Sequence, residues 1–267
     1  MEERLNKLLS SLGVCSRREA DRLIEAGEVL VDGKPAQMGQ KVGEGQSVVC
    51  GGRLVWGGTG SFTEKACGKP EPVLLAVHKP RGVVCTTSDK DRAPNIVDLI
   101  HYPQRVYYIG RLDKESEGLV LMTNQGDLVN KVMRSGNAHE KEYRVTVDHP
   151  VTEQFLSRMR RGIFLKELER TTLPCKVYKL GEREISVTLT QGLNRQIRRM
   201  CTACGYEVRR LVRVRVMNIH LEGLKKGAYR RIEGEEMREF LRLLEHSTNL
   251  PEKLRAEQKM EERSDAR

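Results

Sequence analysis

In the stretch GRLDKESEGL, Gly110–Leu119, an arginine, an aspartate and a lysine fall within four residues; two more acids follow, and then the apolar run Leu119–Met122. The charges suit a loop and the apolar run suits a buried strand. Asp113 therefore sits at the edge between them, where catalytic groups are often held. A carboxylate there can attack as a nucleophile, stabilise an electron-poor centre or move a proton. The second candidate is the tract from 195 to 215, where Arg195, Arg198, Arg199, Arg209, Arg210, Arg213 and Arg215 face one acid, Glu207. Arginine's planar fork takes phosphate or carboxylate through paired hydrogen bonds. In LVRVRV the alternation places Arg213 and Arg215 on one sheet face, opposite Val212, Val214 and Val216. Few acids lie nearby in sequence, so nucleic-acid contact is expected ahead of a salt-bridged surface. An aspartate amid such charge either does work or pairs structurally with an arginine, and by residue types alone the ion pair is the safer reading.

Other chemistries find less support. Cys201 and Cys204 form a C-x-x-C, but no second Cys or His pair stands at zinc-site spacing, and helix packing is the better account. HEKEY at His139 starts like a zinc-protease helix, yet Tyr143 occupies the place of the second histidine. No G-x-S-x-G elbow or P-loop is present.

The elements that must position these residues follow from periodicity. Leu5, Leu8, Leu9 and Leu12 form one helical stripe that Gly13 can end. Ser16 and Glu19 have capping-box spacing, Ala20, Leu23 and Ile24 continue the apolar face, and Gly27 is a stop. EVLVDGKPA reads as strand, Asp-Gly turn, strand, and QSVVC as another strand. The basic residues Arg4, Lys7, Arg17, Arg18 and Arg22 gather in this helical pair and suit a phosphate backbone, helped by a helix N-terminus. From Gly51 to Pro72 the chain turns rich in Gly and Pro and reads as a linker. Beyond it, VLLAVHKP, RGVVCTT, RVYYIG, GLVLMT, EKEYRVTVD, EISVTLTQG and EVRRLVRVRVMNIHL read as strands. NIVDLI, Asp127–Arg134, TEQFLSRMRRG, NRQIRRMCTACG and EGEEMREFLRLLE read as helices. Strands outnumber helices and mostly follow one another. The expected class is α+β: a small N-terminal helix-helix-hairpin RNA-binding domain, then a larger catalytic domain whose mixed, mainly antiparallel sheet is flanked by helices. The expected boundaries are 1–56, a linker at 57–72, the catalytic domain at 73–246 and a disordered tail at 247–267.

The chain has 267 residues, a net charge of +10 and seven scattered cysteines. That charge favours a polyanionic partner, nucleic acid first. The cysteines make no disulfide framework. Met1–Leu12 mixes acids and bases, unlike a signal peptide, and the apolar runs are far below the roughly 18 residues of a membrane span. A cytoplasmic, monomeric, membrane-free protein is expected.

GRLDKESEGL, KEYRV and GLNRQIRRM, in that order and preceded by the basic module, resemble the signature stretches of the RsuA/RluB/RluE/RluF family of ribosomal RNA pseudouridine synthases. GDLVNK, HEKEYRVTVD and QGLNRQIRRMC look most like the RluF branch. The resemblance spans nearly everything from Arg4 to about Leu244. It implies an isomerase without metal or cofactor that detaches uracil from ribose, rotates it and rejoins it through carbon, on large-subunit ribosomal RNA. It also implies Asp113 as the catalytic residue, Arg198 paired with it, Tyr143 packed on the target base, Ile197 lining the pocket, and Arg111 entering the space left by the flipped nucleotide. Further RNA contacts are expected from Leu112, Lys114, Leu193, Asn194, Arg195, Gln196, Arg199, Arg213 and Arg215. The rivals are the same chemistry on small-subunit or transfer RNA, and a non-catalytic RNA-binding or ribosome-assembly protein.

Overall fold

The computed structural model describes residues 2–57, 70–86 and 93–247. Most of the expected linker and nearly all of the expected tail lie outside them. The chain gathers into two compact units: one runs up to Pro72 and includes Pro103–Arg105, and the other holds the rest from Val73.

The smaller unit contains β1 (Glu3–Arg4), α1 (Leu5–Ser11), α2 (Arg17–Glu25), β2 (Val29–Val31), β3 (Lys34–Pro35), β4 (Lys41–Val42), β5 (Val48–Cys50) and β6 (Arg53–Trp56). Leu5, Leu8 and Leu9 bury the stripe of α1, and Ala20 and Ile24 bury that of α2. Ser16 Oγ accepts the Glu19 amide at 3.1 Å, satisfying a donor that the first helical turn leaves free. Asp32 and Gly33, at φ 51° and 76°, turn β2 into β3 with the left-handed pair that a twisted hairpin needs. Within Gly51–Pro72, read as linker, Arg53–Trp56 is a strand: Gly51 and Gly52 supply a second positive-φ turn and fold it back on β5.

The larger unit contains β7 (Leu74–Lys79), α3 (Ile96–Ile100), β8 (Tyr107–Ile109), β9 (Glu117–Thr123), α4 (Gly126–Met133), β10 (Lys141–Val147), α5 (Glu153–Arg161), β11 (Phe164–Leu165), β12 (Arg170–Thr171), β13 (Lys176–Lys179), β14 (Glu184–Leu189), α6 (Gln196–Ala203), β15 (Val208–Val216), β16 (Ile219–His220), β17 (Tyr229–Arg231) and α7 (Gly234–Leu243). A nine-stranded sheet runs β13-β14-β10-β15-β9-β7-β17, with β8 also on β9 and β16 on β15. Only β9 and β15 pair in parallel; every other pairing in it is antiparallel. RGVVCTT is not a strand where described: Val84 makes an isolated bridge to Asn95. The cause is Lys79, whose buried Nζ donates to the carbonyls of Pro80 (2.9 Å) and Val83 (2.7 Å) and winds that segment into a turn.

The apolar run after Asp113 explains the depth of this sheet. Leu119–Met122 are 0% exposed. Leu119 and Leu121 pack with Val132 of α4 and Phe240 of α7, while Val120 and Met122 pack with Ile96 and Ile100 of α3. A strand covered on both faces reads as a continuous apolar run, and each such side chain is worth roughly 1.5–3 kcal/mol. On the other half of the sheet, Phe155 and Met159 of α5 and Ile197, Met200 and Cys201 of α6 cover Val145 and Val187. Cys201 belongs to that packing, as read, and burial pushes its thiol up to about 12.

The two halves meet at the parallel seam, Val212 opposite Glu117 and Arg213 opposite Gly118. Gly118 has φ 112°, and a Cβ there would lie 2.6 Å from the Arg213 amide nitrogen and closer still to its carbonyl oxygen. Only glycine lets the backbones approach so closely.

Candidate active site

The loop that carries Asp113 enters β9 beside this seam and is held from several sides. Gly82 N donates to Lys114 O at 2.8 Å, and Ser116 N donates to Asp113 O at 3.0 Å. Beneath them Leu112 sinks into the core, and its amide faces Cys85 Sγ at 3.5 Å. The Asp113 side chain is 34% exposed. It lines a cleft of about 820 Å³ whose walls include Tyr143, Ile197, Arg195 and Arg213. Tyr143 stands on β10 and packs into the cores on both halves of the sheet.

Arginine surrounds the carboxylate, but not in the expected pairing. Arg195, left-handed at φ 50° ahead of α6, brings Nη1 to 3.8 Å from Asp113 Oδ2 and Nη2 to 3.3 Å from Glu115 Oε2. Arg198 instead donates to Val208 O (3.2 Å), Glu115 O (3.5 Å) and Ser116 Oγ (3.4 Å). It grips the loop just after the acid, at Glu115 and Ser116, and ties it to Val208 of β15. Burial lowers the Arg198 pKa, with Glu115 and Asp113 opposing and Arg195 and Arg81 reinforcing that effect.

The arginine tract is largely neutralised, against expectation. Arg199 pairs with Glu167, Arg209 with Glu207, Arg210 with Glu117, and Arg215 with both Glu140 and Glu142. All these acids except Glu207 are remote in sequence and arrive through the fold. Arg213 and Arg215 do not share a face either. Tyr143 opposes Arg213 and the preceding Glu142 opposes Arg215, so Val214 is an extra residue in β15. Cross-strand partners point the same way, so this bulge sends Arg213 to the Tyr143 face and Arg215 to the Glu142 face. Arg215 is thus committed to acids as well as to Met217 O, not presented for RNA.

Several expected RNA contacts are internal. Gln196 is 4% exposed; its Oε1 accepts the Leu193 amide at 3.0 Å and its Nε2 donates to Gln191 Oε1 at 3.1 Å, so it braces the loop before α6. Leu112 and Ile197 reach the cleft wall from the core. Arg111 and Lys114 are exposed where they border the cleft, and exposed Asn194 accepts from Arg199 through its backbone oxygen. In the smaller unit Arg4, Lys7 and Arg17, joined by Lys41, line a second cleft of about 500 Å³. Arg18 is exposed, and Arg22 pairs with Glu19 at 2.5 Å.

Two buried lysines lie outside the sequence reading. Lys79 is 0% exposed; burial lowers its pKa, while the charges of Cys85, Asp113 and Glu117 oppose that shift. Lys141 is 4% exposed, lines the same cleft as Asp113, and donates to His139 O at 3.1 Å. Its signal was available: Lys141, Tyr143, Val145 and Val147 alternate along β10, which puts the lysine in register with core residues.

The sequence pattern of the RNA pseudouridylate synthase family matches residues 73–203, and that of the S4 domain matches residues 3–48. The chain is 47% identical to the dual-specificity RNA pseudouridine synthase RluF of Escherichia coli (strain K12), over 92% of this chain and 81% of the relative. It is 34% identical to the ribosomal large subunit pseudouridine synthase B of Bacillus subtilis (strain 168), over 92% of this chain and 99% of the relative. A crystal structure of a pseudouridylate synthase superposes with a TM-score of 0.62 at 27% identity, covering 88% of this chain and 98% of that one.

Proposed function

The chain belongs to the RNA pseudouridine synthases, which are isomerases, and from that premise we propose that it converts a specific uridine of large-subunit ribosomal RNA to pseudouridine, with Asp113 as the catalytic group. The observation that carries this reading is the Asp113 carboxylate lining a cleft walled by guanidinium groups and Tyr143. A non-catalytic RNA binder has no use for an acid there. The large-subunit target rests on the name of the Bacillus subtilis relative.

In this reading the target nucleotide leaves its stack and enters the cleft. Unstacking costs a few kcal/mol, which contacts to phosphate and to the flipped base must offset. Arg111 and Lys114, exposed at the cleft, can supply them, and so can Arg4, Arg17 and Lys41 of the smaller unit. Tyr143 packs on the base, and Asp113 meets the ribose carbon that loses its nitrogen. Arg195 holds a guanidinium 3.8 Å from the carboxylate, and Arg198 fixes the loop that aims it.

The test is to map pseudouridines in ribosomal and transfer RNA from cells with and without the gene, and with Asp113→Asn restored. The expected result is one large-subunit site that vanishes with the gene and stays absent in the variant, although the variant still binds the RNA. Modification persisting in Asp113→Asn refutes the role of the aspartate, and loss confined to small-subunit or transfer RNA refutes the target.

A further inference from the structure

Beside Tyr143, the wall of the cleft carries two cations that no acid among the described residues pairs with. Arg213 is 2% exposed and Lys141 4%. Arg213 spends Nε on Leu119 O at 2.6 Å, whereas its Nη2 is buried without a hydrogen-bond partner. The ammonium of Lys141 has one carbonyl, His139 O, for its three donors. The backbone sets them together. Lys141 and Tyr143 alternate onto one face of β10, and the bulge at Val214 turns Arg213 to that same face, opposite Tyr143. Each lines the cleft. Burial, and then the charge of Arg213, lower the pKa of Lys141 to about 8, so at neutral pH its ammonium is mainly charged and is repelled by the guanidinium beside it. Two like charges held side by side with donors to spare lack an anionic or carbonyl oxygen.

We propose that Lys141 and Arg213 receive the carbonyl oxygens of the flipped uracil and stabilise the negative charge the ring carries while it is detached from the ribose. This rests on the synthase reading given above. Depth favours the base over a phosphate. A phosphodiester must run back to solvent on both sides, whereas these donors are buried beside Tyr143, where a planar ring can follow and a backbone cannot. Arg111 and Lys114, exposed at the same cleft, are the ones a phosphate can reach.

The electron count identifies when the pair acts. The N1–C1′ bond breaks and its electron pair stays on the ring, delocalised from N1 onto O2 and O4. The electron deficiency at C1′ is met by the Asp113 carboxylate. After rotation a ring π pair forms the C5–C1′ bond as the carboxylate withdraws from C1′; the freed Asp113 carboxylate takes the C5 proton, and N1 gains one from water, to which Asp113 then returns its proton. Nothing is oxidised or reduced. Charge on the oxygens is greatest between cleavage and rejoining, so donors fixed there in advance favour the intermediate over the bound uridine.

The test compares Lys141→Met with the parent protein on large-subunit ribosomal RNA transcripts made with uridine or with 5-fluorouridine. Fluorine withdraws electrons and makes the ring a better leaving group, so the enzyme needs less help in carrying its charge. Cleavage of the N-glycosidic bond is followed under single turnover at saturating enzyme. The expected result is a loss of roughly 100-fold on uridine, less than roughly 10-fold on 5-fluorouridine, and RNA affinity within about twofold of the parent. Arg213→Lys, which keeps the charge and removes Nη2, is expected to show the same selective loss. Thermal melting confirms that each variant folds, and either one alone decides the matter. Equal losses on the two transcripts, no loss on either, or weakened RNA affinity with an unchanged saturating rate overturns the proposal, the last by assigning the pair to phosphate. If the parent protein itself forms no pseudouridine, it is the synthase reading that has failed.

Discussion

Replacing Gly118 with alanine tests whether the cleft depends on the close approach at the parallel seam. The residue holds φ 112°, a conformation that costs an L-residue about 1–3 kcal/mol. The new methyl group would also lie 2.6 Å from the Arg213 amide nitrogen, with backbone on both sides and no flexible side chain to move aside. Relief requires β9 and β15 to separate, which loosens the bond from Arg213 Nε to Leu119 O and the ladder around it, adding about 1–2 kcal/mol. The sum, about 2–5 kcal/mol, divided by an m-value of about 2 kcal/mol/M, lowers the urea midpoint of the larger unit by roughly 1–2.5 M. Circular dichroism of the full chain measures that midpoint. The single tryptophan, Trp56, lies in the smaller unit, and its fluorescence gives a reference transition that should not move. A shift in the dichroism midpoint below about 0.5 M would refute the claim that this contact holds the two half-sheets together.

Three further outcomes are expected. Arg198→Ala keeps the fold but frees the backbone of Glu115 and the Ser116 hydroxyl, so the saturating rate should fall at least about 100-fold with RNA affinity little changed; a near-normal rate would show that the grip on the loop is dispensable. Changing Arg17 and Arg18 together to alanine should weaken RNA binding and reduce the slope of log K against log salt by roughly 1–2, and an unaltered slope would remove the smaller unit from the RNA interface. Burial raises the pKa of Glu117, but hydrogen bonds from Lys226 and Arg210 outweigh it and hold the carboxyl below its usual range. Its folded pKa is thus depressed, so its contribution is present above about pH 4.3 and is lost as pH falls through the folded value. Glu117→Gln should cost about 2 kcal/mol at neutral pH and flatten the acid side of the stability profile, and equal acid sensitivity in the two proteins would contradict this.

Much of this was legible because it is local. The cap at Ser16, the Asp-Gly hairpin and the buried run Leu119–Met122 are set by residues within a turn or two of one another, and the position of Asp113 at the loop edge followed from the same reading. What escaped was long-range. The strand β17 is three residues long and carries little pattern of its own; pairing with β7, far back in the chain, makes it a strand. The arginine tract looked unopposed because Glu117, Glu140, Glu142 and Glu167 are far away along the chain and adjacent in space. Strict alternation put Arg213 and Arg215 together, and one inserted residue separated them. Burial of a cation, as at Lys79, is a tertiary fact that no residue type announces.

The seam also orders the making of the protein. Arg213 and Leu119 bond across 94 positions, whereas the partners β7, β8 and β9 lie within a much shorter stretch. Non-local pairing must overcome a larger loop-closure entropy, so it is slow to form. On the ribosome, the strands up to β9 can assemble while β15 is still unsynthesised. The cleft comes into being only when the last third of the polypeptide emerges and lays Arg213 against Gly118. A nascent chain therefore displays its basic N-terminal module well before it owns a place to do chemistry.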